Sequence, residues 1–230
     1  MTEPVAILPA RGGSKRIPRK NIRDFAGKPA LAWPLTAASA AHIFSRIVVS
    51  TDDAEIAEIA RTNGAEVPFT RDAALADDHA GTTEVIRDAV RRLRLPPDTP
   101  VCCIYPTALF LQSRDLQRGL EQLKSGATWV LTAGLYPTPI DRAYRLDGDS
   151  LVPRSAVHMP MRSQDLEPAY MDLGQFYWAR AATWTDETAK VWDGAKPVLL
   201  PPDRAVDIDT EDDWARAELL FKLMQSGGAG

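Results

Sequence analysis

The chain has 230 residues, of which 45% are apolar and 25% charged, with a formal net charge of −4 at pH 7; this is enough to bury a full core in one domain. The acidic balance argues against nucleic acid as a partner, and no apolar run reaches the roughly 20 residues that a membrane-spanning helix needs. Residues 1–10 lack the apolar stretch and cleavage site of a secretory signal, so the expected location is the cytoplasm.

Ala6-Ile7-Leu8 reads as a short buried strand that runs through Pro9 into Ala10-Arg11-Gly12-Gly13-Ser14-Lys15-Arg16-Ile17-Pro18-Arg19-Lys20-Asn21. Seven basic residues and one acid lie between positions 11 and 28, while the rest of the chain holds 20 basic and 30 acidic residues. A cation cluster confined to one loop of an acidic protein suits a single polyanionic ligand, with triphosphate the natural candidate. Gly12 and Gly13 let backbone N–H groups approach phosphate, and Arg11, Lys15 and Lys20 supply positive charge. A solvated basic turn is the competing reading of the same residues. Neither the Walker A nor the Rossmann glycine pattern is present.

Downstream, Ala30–His42 is expected as a helix and Arg46–Thr51 as a β-branched strand. Asp52 is expected to cap a helix over Asp53–Asn63 that stops at Gly64, with Ala65–Phe69 a third strand. Arg71–Ala80 should be an acidic surface loop leading to a helix over Thr82–Leu95, with an ordinary N-cap within Gly81-Thr82-Thr83. Val101–Tyr105 reads as a central strand, Ser113–Lys124 as an amphipathic helix and Ala127–Ala133 as a further strand. Adjacent Cys102 and Cys103 point to opposite faces of their strand and form no disulfide framework; His42, His79 and His158 show no ligand spacing. This alternation of strands and helices predicts an α/β protein with a mostly parallel, doubly wound sheet.

Between Gly134 and Ala169 prolines interrupt regular structure, and Tyr144–Leu151 has strands flanking a glycine turn, so 134–170 is expected as a hairpin and loop excursion from a single domain over 1–225. Arg162, Gln164, Asp165 and Gln175, with Met159, Met161, Tyr170 and Phe176, fit either the rim of a mobile loop or a pocket with apolar walls and a few hydrogen-bonding groups. Trp129, Trp178, Trp184 and Trp192 read as core. Pro197–Leu200 should be the last strand. In Ala205-Val206-Asp207-Ile208-Asp209-Thr210 the two aspartates project to one face while Val206 and Ile208 face inward. The pair is either a cation site or exposed charge and capping. A helix over Glu211–Met224 follows, and 226–230 is expected as a flexible tail.

The run Leu8-Pro9-Ala10-Arg11-Gly12-Gly13-Ser14-Lys15-Arg16-Ile17-Pro18-Arg19-Lys20-Asn21, followed by Phe25-Ala26-Gly27-Lys28-Pro29, resembles the signature of the CMP-sugar synthetases that activate nonulosonic acids, and most nearly the pseudaminic acid cytidylyltransferases. The resemblance implies a three-layer Rossmann-like nucleotidyltransferase fold, a homodimer, and transfer of CMP from CTP to a nonulosonic acid. It implies nucleotide contacts from Ala10, Arg11, Gly12, Gly13, Ser14, Lys20, Asn21, Arg71 and Thr82, with Arg11, Lys15 and Lys20 acting in catalysis. It also implies sugar contacts from Tyr105, Thr107, Arg162, Gln164, Asp165 and Gln175, and Mg²⁺ on Asp207 and Asp209. Two departures weigh against sialic acid: Tyr105 stands where the sialic acid enzymes usually carry Gln, and Leu109 replaces a family proline. Met171 stands where the sialic acid enzymes usually have Arg, and Met171 and Leu173 also differ from the usual residues of the pseudaminic acid enzymes. The sialic, legionaminic and Kdo-type enzymes, or a silent nucleotide-binding homologue, are the alternatives.

Overall fold

The computed structural model describes residues 2–76 and 80–227; Asp77, Asp78 and His79 of the expected acidic loop, and 228–230 of the expected tail, lie outside them. In chain order the elements are β1 (Val5–Pro9), β2 (Asp24–Phe25), β3 (Lys28–Pro29), α1 (Ala32–Ala40), β4 (Arg46–Ser50), α2 (Ala54–Thr62), α3 (Thr82–Arg92) and β5 (Pro100–Ile104). There follow α4 (Ser113–Lys124), β6 (Trp129–Leu135), β7 (Tyr144–Asp147), β8 (Ser150–Pro153), β9 (Tyr170–Arg180), α5 (Ala181–Thr185), β10 (Ala195–Leu199) and α6 (Glu211–Gly227). The main sheet has six strands in the order β10-β6-β9-β5-β1-β4. Its strands pair in parallel except β9, which is antiparallel to both β5 and β6. The expected α/β, mostly parallel arrangement is therefore the observed one.

Two apolar clusters cover the two faces of this sheet. Ala6, Leu8, Cys102, Val130 and Trp178 meet α1, α2 and α4 through Leu35, Ile56, Leu116 and Leu120. Ile7, Val101, Cys103 and Trp129 meet α3 and α5 through Ile86, Val90 and Trp184. Helix, sheet and helix make three layers, and the two cysteines divide between the faces as period-2 geometry requires.

A third cluster positions the site. Ile17 of the basic loop, Phe25, Leu109 and Phe110 after β5, Val206 and Ile208 of the acidic segment, and Trp214 of α6 pack together, all buried. Phe25 sits at its centre, edge-on to Trp33, Phe110, Trp214 and Phe221. Aromatic edge-to-face contacts add specificity to the buried area. The effect is to clamp residues separated by nearly the whole chain into one wall.

Several expectations change. Ala65–Phe69 makes only isolated bridges, Val48 to Glu66 and Thr51 to Thr70, because Pro68 between them has no N–H for a ladder. The α2 N-cap is Asp53, not Asp52: Asp53 Oδ1 accepts from Glu55 N at 2.9 Å and Ile56 N at 3.0 Å. The cap expected within Gly81-Thr82-Thr83 is present and falls on Gly81, which donates its N–H to Glu84 Oε2 at 3.2 Å. Trp192 is 73% exposed and not core. The largest addition is β9, an eleven-residue strand over residues to which the sequence reading gave no element. Its register against β6 shifts between Leu131 and Ala133, and Gly174 takes φ +57° in the stretch of β9 spanned by that shift. A bulge of this kind breaks alternation, which is the signal a strand reading depends on.

Candidate active site

The basic loop leaves β1 at the carboxyl end of the parallel strands, where open α/β sheets place their ligands. Ala10 is fully buried and its N–H is bound to Ser50 O at 2.9 Å, continuing the β1–β4 pairing. Gly12 donates its N–H to Asp52 Oδ1 at 3.1 Å, and a Cβ built there would lie 2.6 Å from Asp53 Oδ2. The close approach of Asp53 is by itself a reason for glycine at this position. A Cβ at Gly13 meets nothing within 4 Å. Gly12→Ala should therefore lower the thermal midpoint by about 2–8 °C, as overpacking costs about 1–3 kcal/mol. Gly13→Ala should leave the midpoint in place; equal melting of the two variants by circular dichroism would remove the steric account.

A cavity of about 550 Å³ opens beside this loop. Arg11, Ser14, Lys15, Lys20 and Asn21 line one side; Arg71, Thr82, Tyr105 and Thr107 line another, and Asp209 also borders it. Asn21 Nδ2 donates to Arg11 O at 2.9 Å, which closes the loop on itself and orders both residues. Arg71 is buried, with Nε on Ser50 Oγ at 3.2 Å and a second bond to Ser50 O. Burial brings its pKa down to about 10, so the guanidinium stays charged at neutral pH and presents a desolvated cation to the cavity. The Thr82 hydroxyl and the Tyr105 hydroxyl share a 2.8 Å hydrogen bond, and burial pushes the Tyr105 phenol up to about 12. A neutral phenol and hydroxyl remain there as donors and acceptors at physiological pH.

The acidic segment faces the loop. Val206 and Ile208 are buried, while Asp207 and Asp209 are more open, so the expected alternation holds although the segment is not a strand. Lys20 Nζ lies 2.5 Å from Ile208 O and 3.7 Å from Asp209 Oδ1, and Arg16 Nη2 lies 2.9 Å from Asp209 Oδ1. Burial, followed by the charge of Asp209, raises the Asp207 pKa; burial lowers that of Lys20 against the pull of both carboxylates. One carboxylate and a carbonyl thus lie close to the Lys20 ammonium, and the charge of Asp207 also acts on it. Among the described residues no three His, Cys, Asp or Glu side chains are grouped to hold a metal. A hard divalent ion with two carboxylates here would keep positions for phosphate and water, which is the habit of Mg²⁺. The donor set fits that ion.

The sugar-contact expectation fares differently. Gln175 is 1% exposed and its Nε2 donates to Arg204 O at 2.7 Å, so it is a buried support beneath the acidic segment and not a rim group. Arg204 in turn makes a buried ion pair with Asp115. Phe176 is fully buried core. Arg162, Gln164 and Asp165 lie exposed on the excursion, where Arg162 Nε bonds Asp165 Oδ2 at 2.7 Å; none of the three lines the cavity. Arg16, which does line it, was counted as charge by sequence reasoning but given no role.

The chain matches the sequence model of the cytidylyltransferase family over residues 5–187. A pseudaminic acid cytidylyltransferase of Campylobacter jejuni subsp. jejuni serotype O:23/36 (strain 81-176) is 39% identical over 223 residues, covering 95% of this chain and 96% of that one. A CMP-N,N'-diacetyllegionaminic acid synthase of Legionella pneumophila subsp. pneumophila (strain Philadelphia 1) is 32% identical over 96% of this chain and 97% of its own. Among solved structures, a CMP:2-keto-3-deoxy-manno-octonic acid synthetase complexed with CTP superimposes with a TM-score of 0.71 at 16% identity, over 97% of this chain and 100% of that one, a likeness of fold.

Proposed function

The chain belongs to the cytidylyltransferase family, and from that premise we propose that it transfers CMP from CTP to a nonulosonic acid, pseudaminic acid, with release of pyrophosphate. The near-full-length identity to the Campylobacter enzyme carries this reading, and the cavity is where the chemistry fits. The sugar's anomeric hydroxyl oxygen attacks the α-phosphorus and its proton passes to solvent, while the bond from that phosphorus to the oxygen bridging to the β-phosphate breaks and pyrophosphate leaves with the electron pair. Arg11, Lys15 and Lys20 hold the triphosphate and offset charge as it moves toward the leaving group. Thr82 and Arg71 contact the nucleoside, while Tyr105 and Thr107 face the sugar side. Asp207 and Asp209 would hold Mg²⁺, which when bound supplies Lewis-acid stabilisation of phosphate oxygens.

The excursion supports a homodimer reading. Leu146 is 71%, Leu151 66% and Val157 80% exposed, an apolar set on and beside the β7–β8 hairpin. Exposed apolar groups of this kind suit an interaction surface. On the homodimer reading, Arg162, Gln164 and Asp165, which lie on the same excursion, would contact the sugar of a partner subunit. This reading places the enzyme in the cytoplasm with its CTP; among the described residues no helix is long and apolar enough to cross a membrane.

The test is pyrophosphate release with CTP and a panel of nonulosonic acids. A preference for pseudaminic over N-acetylneuraminic acid of at least about a hundredfold in kcat/KM is expected, because a site built to bond a polar group rejects analogues lacking it strongly. Equal use of the two would remove the sugar assignment and leave the cytidylyltransferase reading standing.

A further inference from the structure

We propose that Asp53, at the start of α2, is a positioning residue for the phosphate-binding loop: its carboxylate joins the first half of that loop to the second and so sets Lys20 and Asn21 against the cavity. The inference rests on the reading of the cavity as the CTP site.

Three observations meet at this one side chain. At the near end of the loop, Gly12 packs so tightly on Asp53 that only glycine fits, and its N–H is fixed by the neighbouring Asp52. At the far end, Arg19 grips Asp53 with both terminal guanidinium nitrogens, Nη2 lying 3.3 Å from Oδ1, while Nη2 also meets Glu55 Oε2 at 2.5 Å. The hydrogen bond with Arg19 is the main reason the Asp53 carboxyl titrates below its ordinary range. The carboxylate itself cannot drift, because it caps α2 through Glu55 N and Ile56 N and its own N–H bonds Thr51 Oγ1 at 3.1 Å.

The backbone at Arg19 gives the clasp a purpose. Arg19 sits at φ +56°, a left-handed conformation that L residues other than Asn and Asp rarely adopt. Its carbonyl receives the N–H groups of Ile22 and Arg23, both at 2.9 Å, so this strained residue is the pivot of the turn that follows. Lys20 and Asn21, the next two residues, are cavity residues. A strained pivot persists when its surroundings over-determine it, and the guanidinium anchored on Asp53 is such a restraint. Arg19, one of the seven loop cations, is by this account a tether and not a phosphate ligand.

Asp53→Asn separates positioning from capping, since Asn caps a helix about as well as Asp but carries no charge for Arg19. Arg19→Gln opens the clasp from the other side. Each single variant should raise KM for CTP about tenfold, with KM for the sugar acid unchanged and the thermal midpoint within about 2 °C of the parent. The double variant should be no worse than either single, and Arg19→Lys should recover part of the loss. In parallel, hydrogen exchange of the amides of residues 12–23 should quicken in both singles; this readout needs no turnover, so absence of CTP turnover in the parent protein sinks the proposed function without deciding the clasp. Unchanged exchange, multiplicative effects in the double variant, or a lowered midpoint with KM for CTP intact would each overturn the clasp.

Discussion

Replacing Lys20 by Ala is expected to lower kcat/KM for CTP by about a hundredfold or more, the loss that follows removal of one preorganised charge donor. The structure gives this residue a sharper role than loop charge alone. Its ammonium lies between the loop and the acidic segment, bound to Ile208 O and 3.7 Å from Asp209. Burial lowers its pKa while Asp209 and Asp207 act to raise it, so a cation at this point is already partly desolvated before substrate arrives. Little solvent has then to be displaced when phosphate approaches, and the interaction gains strength accordingly. Arg16 stays on Asp209 in the variant, and Ile17 stays in its buried cluster, so the loop should keep its course. Steady-state kinetics at saturating sugar, beside a thermal melt, is the measurement. Activity within threefold of the parent would strike Lys20 from the catalytic set.

How much of this arrangement the sequence discloses depends on the range of the interaction. The basic loop, the alternation of Val206 and Ile208 with the two aspartates, and the amphipathic helix α4 are local patterns, and all three are present. The hairpin over Tyr144–Pro153 was legible from its glycine, because Gly148 takes φ +59° at the turn. By contrast, Lys20 and Ile208 are 188 residues apart, and nothing local says that they meet. Gln175 shows the opposite error. A polar residue amid aromatics suggests a ligand rim, yet its amide closes a buried hydrogen bond to Arg204 and so supports the acidic segment from below. Asp53 was hidden for a third reason: one of two adjacent aspartates had to be the cap, and only the structure shows that the cap residue is also the one against Gly12 and Arg19.

Asp207→Asn and Asp209→Asn should each reduce turnover by roughly a thousandfold and abolish heat of Mg²⁺ binding in the presence of CTP, if the pair holds the ion as proposed. Their effects on the protein without ligands should differ, which is a stricter test than loss of activity. Asp207 is pressed by burial first and by the charge of Asp209 second, and its pKa is raised. A raised carboxyl favours folding while protonated and opposes it once ionised, so at neutral pH the wild-type charge is a cost that Asn removes. Asp207→Asn should therefore melt at or above the parent temperature at pH 7, and the gain should vanish as pH falls through the raised pKa, where the parent carboxyl is protonated too. Asp209 has Arg16 at 2.9 Å and Lys20 at 3.7 Å as partners. Removing its charge leaves two cations facing each other, so Asp209→Asn should show no such gain. Melts of both variants from pH 4 to 8, paired with calorimetric Mg²⁺ titrations, decide the matter. Unaltered ion affinity in both would move the metal away from these carboxylates, and a pH-independent stability difference at Asp207 would remove the electrostatic account of that residue.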